Sequence, residues 1–187
     1  MSNLQAYLET TTAVTRLGVA AEESNWYAIH TMPRHEKWIA GQLQGKRVCT
    51  FLPVLHQIHR WSDRRSKVEV PMFSCYAFVH MVQTVEERFK VLRTPGVLGF
   101  VGSERQGTPI PDEEIENLRT AIRGKLPCVV HPFVSAGKRV RIRGGSLDGV
   151  EGILMRQGGE QSVVISVELL RRSVSIRVEG YDIELVS

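Results

Sequence analysis

The segment that most restricts the fold runs from Gly137 to Arg156 (GKRVRIRGGSLDGVEGILMR), where glycines at 137, 144, 145, 149 and 152 punctuate an alternation of basic and apolar residues. At a period of two, Val140 and Ile142 point to one side and Arg139, Arg141 and Arg143 to the other, the pattern of a half-buried strand with a basic outer face. Gly144-Gly145 ends that strand, and Asp148-Gly149 is a turn signal. Val150 and Ile153-Leu154-Met155 then supply a second strand, in which Gly152 allows a bulge or a close backbone approach. From Gly137 onward the chain reads as about five short strands, a small β-barrel.

The chain has 187 residues, with 42% hydrophobic and 24% charged, an ordinary globular composition. Two small domains are expected, because the glycine unit follows a clear break. A net charge of +4 and a pI near 9.1 suit a polyanionic partner such as nucleic acid or an acidic protein surface. Cys49, Cys75 and Cys128 are odd in number and far apart, so neither a disulfide framework nor a CxxC metal site is indicated. No apolar run approaches membrane-spanning length, and residues 1–15 contain no Lys or Arg to begin a signal peptide. A cytoplasmic protein without membrane contact is the expectation.

Residues 1–24 are rich in Thr, Ala and Ser and read as an extension. Trp26–Met32 is strand-like, and Pro33 can open a helix to Gly45 with Trp38, Ile39 and Leu43 on its apolar face. Phe51–Leu55, His56–Arg60 and Val68–Val70 are β-like around a charged tip at 62–67, and Cys75–Met81 is a core strand. A second helix is predicted over Val85–Arg93, with Val85, Phe89 and Leu92 lining one side, ended by Thr94-Pro95-Gly96. A strand follows at Val97–Val101. A third helix follows Pro109 with acidic residues in its first turn and Ile115, Leu118 and Ile122 on one face. The fold class is α+β, with an antiparallel sheet flanked by helices over 25–122, a linker at 123–136 and a barrel at 137–187.

These residues together carry a resemblance. Trp26-Tyr27, the basic helix after it, Pro71-Met-Phe-Ser-Cys-Tyr-Ala-Phe-Val79, the Thr94-Pro-Gly-Val97 turn into Phe100-Val101, and the glycine unit resemble the NusG family of transcription elongation factors. In that family an NGN domain is joined to a small SH3-like barrel with the KOW motif, which looks like Gly137–Arg156 here. The resemblance implies binding rather than catalysis, without cofactor or metal. It implies an NGN domain that docks on the clamp helices of the RNA polymerase largest subunit, bridges the cleft and suppresses pausing. Phe51, Leu52, Pro53, Phe73, Tyr76, Phe78, Val97 and Phe100 fall in the segments that build this surface, although alternation sends about half of such residues to the core. The helix start matches the region that reads the non-template DNA strand in specialised paralogues, with Arg34, His35 and Lys37 as contacts. Arg64 and Arg65 at the hairpin tip form a second basic site, toward upstream DNA.

For the barrel the resemblance implies recruitment of a small-subunit ribosomal protein, termination factor Rho, or RNA. Lys138, Arg139, Arg141 and Arg143 would meet acidic groups or phosphates, and Ile153 and Leu154 would add apolar contacts. The chain departs from the general family pattern at Ser74-Cys75, where Pro-Gly is typical. Val163–Val178 resembles operon-restricted paralogues more than the housekeeping protein, and its β-branched density disfavours a helical barrel segment. A monomer is expected. An enzyme would need a constellation that is absent: His30, His35, His56, His59, His80 and His131 show no HExxH spacing. Asp112-Glu113-Glu114 reads as a helix N-terminus rather than an acid/base pair. The alternative function is a stand-alone RNA-binding or ribosome-associated KOW protein.

Overall fold

A computed structural model describes residues 23–60, 65–102, 106–124, 127–134, 136–157 and 160–186. Its first unit is an antiparallel sheet of order β2-β5-β1-β6, with β7 also paired to β1. The strands are β1 Ser24–Thr31, β2 Cys49–Phe51, β5 Tyr76–Val82, β6 Val97–Phe100 and β7 Pro109–Ile110. Between β2 and β5 the chain makes a separate two-stranded ribbon, β3 Val54–Arg60 with β4 Arg65–Pro71. Three helices complete the unit: α1 Glu36–Gly45, α2 Val85–Leu92 and α3 Asp112–Arg123.

Strand β1 sits inside the sheet and is covered on both sides, so alternate residues serve two cores. Tyr27 and Ile29, with Ala77, Val79 and Met81 of β5, face Ile39 and Leu43 of α1 and Val91 of α2. Trp26, Ala28 and Phe78 face the opposite way, toward Ile115, Leu118 and Ala121 of α3. Burying a side chain of this size stabilises a domain by about 1.5–3 kcal/mol. The two layers of helix on sheet are therefore what hold the α+β unit together.

Helix faces depart from the pattern in two places. Trp38, expected inward with Ile39 and Leu43, is 49% exposed, because the stripe that meets the sheet is Ile39, Ala40 and Leu43 and position 38 lies about 100° away from 39. In α2 the predicted inner side of Val85, Phe89 and Leu92 is the exposed one, and Val91 is buried instead. A helix of two turns can present only one narrow stripe to the sheet. The Thr84 hydroxyl accepts the Glu87 N–H at 3.2 Å, and the Lys46 ammonium donates to Thr94 at 2.7 Å beyond the helix end. These contacts hold the Val91 side down. Helix α1 also begins later than Pro33, since Pro33-Arg34 is a turn with Arg34 at φ +65°.

The second unit is a six-stranded sheet of order β13-β9-β10-β11-β12-β8. Its strands are β8 Cys128–His131, β9 Lys138–Arg143, β10 Glu151–Gln157, β11 Glu160–Val167, β12 Arg172–Arg177 and β13 Asp182–Leu185. The segment 123–136, expected as a linker, thus contributes β8 to the barrel sheet, where Val129 pairs with Ser175 and Val130 with Val174. Four residues between Pro127 and Pro132 were too short a run to separate from connecting chain by pattern. The glycine unit folds as read: Val140 and Ile142 are buried, and a Cβ at Gly152 would stand 2.5 Å from the Val164 carbonyl oxygen. Only glycine lets β10 lie that close to β11.

The two units meet across α3. Asn117 Oδ1 accepts the Glu151 N–H at 3.0 Å, and a Glu114 carboxylate oxygen accepts the Glu168 N–H at 3.3 Å. Burial pushes the Glu114 carboxyl above its ordinary 4.5; the Glu168 N–H pulls it back down and the nearby Glu168 carboxylate adds to the rise. A carboxyl raised on folding binds its proton more tightly in the folded state, so its contribution is most favourable in acid and fades as pH rises from 4.5 through the folded value. Glu114→Gln keeps the acceptor and removes the charge. This variant is expected to be more stable than wild type at neutral pH, with the advantage shrinking below pH 4.5. Urea midpoints at the two pH values check this, and an advantage that did not change with pH would contradict it.

Candidate functional site

The sheet face opposite α1 and α2 carries an aromatic array built by the register of three strands. His30 stands across from Tyr76, Ala28 across from Phe78, and Trp26 across from His80. Phe51 of β2 stands across from Phe78 on the other side. The rings make contact: His30 stacks on Tyr76 with centroids 5.4 Å apart, Phe51 on Phe78 at 6.0 Å, and Phe73 meets Phe78 edge-on at 6.2 Å. Helix α3 covers the Trp26 end, where the Arg119 guanidinium lies 4.7 Å from the Trp26 ring and 5.1 Å from the Phe51 ring. Phe78 and Phe73 are buried beneath, while Phe51 and Tyr76 are half-buried and His30 is exposed. The result is a shallow aromatic face with a rigid floor, bordered by a cation.

The turn that delivers Tyr76 into this face is the Ser74-Cys75 departure. Cys75 has φ +69°, the left-handed conformation that glycine adopts freely and other residues at a cost of about 1–2 kcal/mol. The turn therefore keeps the backbone shape that a Pro-Gly pair would supply. The carboxylate of Glu36, itself 4% exposed, accepts the Cys75 N–H at 2.8 Å and holds the strained residue in place. The Cys75 carbonyl in turn accepts the Thr31 N–H at 2.8 Å, tying the turn to the end of β1.

The predicted docking residues do not lie together. Phe51, Phe73, Tyr76 and Phe78 belong to the aromatic face, whereas Leu52, Val97 and Phe100 pack against the core under α1 and α2. Pro53 is buried, and its carbonyl accepts the Met72 N–H. Sequence reading missed Trp26 and His30 as members of the face, although their period-two spacing with Ala28 was available. It also missed Arg119, for which the sequence offers no signal beyond its helical phase.

Among the basic residues, Arg34 and His35 are exposed, and the Lys37 ammonium donates to Glu69 at 3.0 Å, which holds that carboxyl below its ordinary range. Arg64 lies outside the described residues, and Arg65 is described only by its pairing with Arg60. On the barrel, Arg141 pairs with Glu151, Arg139 lies 3.8 Å from the same carboxylate, and Arg143 donates to Glu184 at 2.7 Å. Of the four predicted cations, Lys138 alone has no ion pair among the described residues. Leu154 packs on the barrel core, and Ile153 lies against Gly137 in the cleft beside α3. No three His, Cys, Asp or Glu side chains among the described residues stand together as metal ligands, and no described helix is long and apolar enough to cross a membrane.

A sheet with helices on both faces, followed by a small barrel, matches known proteins. The family model "Transcription termination factor nusG" matches residues 24–119. The chain is 25% identical over 183 residues to the transcription termination/antitermination protein NusG of Lactococcus lactis, covering 87% of this chain and 93% of that one. It is 28% identical over 174 residues to the NusG protein of Staphylococcus aureus, covering 85% and 94%. A solved structure, "Domain interaction in Thermotoga maritima NusG", aligns over 88% of this chain and 98% of that one at 21% identity with a TM-score of 0.52, a likeness of fold. The chain belongs to the NusG family, and it is a NusG-like transcription termination/antitermination factor.

The strained turn gives a direct test. Cys75→Gly is expected to stabilise the protein by about 1 kcal/mol, seen as a higher urea midpoint at unchanged slope. Cys75→Ala keeps a Cβ and should give no such gain. A destabilised glycine variant would show that the turn is not held as described.

Proposed function

We propose that the aromatic face of Phe51, Tyr76 and His30 is the surface with which this factor docks on RNA polymerase, at the clamp helices of the largest subunit. The half-exposed pair Phe51 and Tyr76, packed against the core that holds Phe73 and Phe78, with Phe51 stacked on Phe78 and Tyr76 on His30, is the observation that carries this reading. Half-buried aromatics on a rigid floor lose little side-chain entropy on binding, which is why such residues dominate interfaces. A pair of amphipathic helices would bury the exposed ring edges. Docked there, the first unit bridges the polymerase cleft and reduces pausing or termination, and it serves particular operons rather than all genes.

Arg34, His35 and, more weakly, the Glu69-paired Lys37 would contact the displaced non-template strand, with Arg64 and Arg65 toward upstream DNA. The barrel would recruit a further partner: a ribosomal protein of the small subunit, Rho or RNA. Its pairing of Arg141 and Arg143 with Glu151 and Glu184 favours a protein surface over RNA phosphates, because an internally paired cation releases few counterions. The same pairing weighs against the stand-alone RNA-binding alternative. The factor would work as a monomer in the cytoplasm, without cofactor or catalysis.

The test is retention of core RNA polymerase by the full chain. Phe51→Ala and Tyr76→Ala are each expected to weaken binding by about tenfold or more while the protein stays folded. An isolated clamp-helix fragment in excess should displace the wild type. Unchanged retention by both folded variants would contradict the reading. Phe73→Ala, by contrast, should act through stability, losing about 3–5 kcal/mol as a buried ring is removed.

A further inference from the structure

Arg119 is the one cation found against the rings of the aromatic face among the described residues, and packing alone does not call for it. Trp26 and Phe51 meet edge-on, with centroids 6.3 Å apart, and the guanidinium lies 4.7 Å from the first ring and 5.1 Å from the second. Helix α3 reaches the sheet with Ile115, Leu118 and Ala121, all fully buried. Position 119 stands beside that stripe, one turn beyond Ile115, and its side chain is 27% exposed. A leucine or methionine there would cover the same two rings without drawing a charge partly out of water. What arginine adds is five N–H donors in a planar fork. One of them goes to the Glu116 carboxylate at 2.5 Å, and no other hydrogen bond of this guanidinium is found among the described residues.

That single ion pair is a weak hold. It joins residues three apart on a helix surface, and the Glu116 side chain is 51% exposed, so water competes for both groups. Glu113 and Glu114 do not compete for Arg119: Glu114 accepts the Glu168 N–H of the barrel, and Glu113 lines the cleft that also holds Arg139. Glu116 itself lines a cleft shared with Arg141 and Arg143, so it keeps basic neighbours when Arg119 turns away from it. The two rings meanwhile hold the guanidinium at the rim of the face, which leaves little side-chain freedom to lose when a partner arrives. We propose that Arg119 sets the specificity of the aromatic face: it pairs with a carboxylate that the partner helix carries beside its apolar stripe, and it disfavours a helix with a cation at that place. The docked partner covers the pair, and a fork-to-carboxylate contact shielded from water is stronger than the exposed pair with Glu116. The proposal rests on the reading of the aromatic face as the surface that docks on RNA polymerase, and it adds the charge that this face selects.

The test is retention of core RNA polymerase by the full chain across salt concentrations from about 0.05 to 0.5 M, for Arg119→Met, Arg119→Lys and Arg119→Glu. Methionine keeps a cover over both rings and removes the charge. It is expected to weaken retention about tenfold at the lowest salt and much less at the highest, while the urea midpoint stays close to that of wild type. Lysine should recover part of the loss, and glutamate should weaken retention further than methionine. Retention of Arg119→Met equal to wild type at every salt concentration overturns the proposal. So does a loss that is the same at low and high salt, which would mark a packing role. Phe51→Ala and Tyr76→Ala measured alongside separate the two readings. If they lose retention while Arg119→Met does not, only the charge proposal fails; if none of the three loses retention, the docking reading fails and the proposal with it.

Discussion

Everything in the first unit depends on the register of β1 against β5. Trp26, Ala28 and His30 lie on one side, and Tyr27, Ile29 and Thr31 on the other. A slip of one residue would send Tyr27 and Ile29 into the aromatic array and Trp26 under α1 and α2, emptying both cores. The register is fixed at its end by the Cys75 turn, whose carbonyl takes the Thr31 N–H and whose own N–H is taken by Glu36. A buried carboxylate on a helix thus sets which rings reach the surface. That is the link from a local backbone constraint to the proposed docking face.

The sequence carried this fold unevenly. The barrel was legible because glycines at turns and alternation between Arg139 and Arg143 leave few other arrangements, and Gly152 sits where β10 and β11 touch. The third helix was legible in Ile115 and Leu118 with an acidic first turn. Helix faces were harder. In α1 and α2 more apolar residues occur than two or three turns can bury, so periodicity alone cannot say whether Trp38 or Ala40, or Phe89 or Val91, meets the sheet. The residues expected to dock were divided for the same reason: Phe51 and Tyr76 share a face, but Phe100 and Val97 fall on the other, a division set by strand pairing over long sequence distances.

Helix α3 joins the two halves of the molecule. One side of it closes the sheet over Trp26 and Phe78, and its polar edge receives N–H groups of the barrel through Asn117 and Glu114. Arg119 on the same helix caps the Trp26 and Phe51 rings. The barrel's basic strand, which dominates the sequence, is largely satisfied by its own acids. Less conspicuous groups, a half-exposed tyrosine and phenylalanine and an exposed tryptophan on another helix, remain open to partners.

The most direct measurement of the central claim is site-specific photocrosslinking from the aromatic face. A photoreactive phenylalanine analogue at Phe51 or Tyr76 in the full chain, mixed with core RNA polymerase, is expected to crosslink to the clamp helices of the largest subunit. The same analogue at Val129, exposed on the barrel's edge strand, should not reach them. A complex that forms while neither Phe51 nor Tyr76 crosslinks to the clamp would contradict the account.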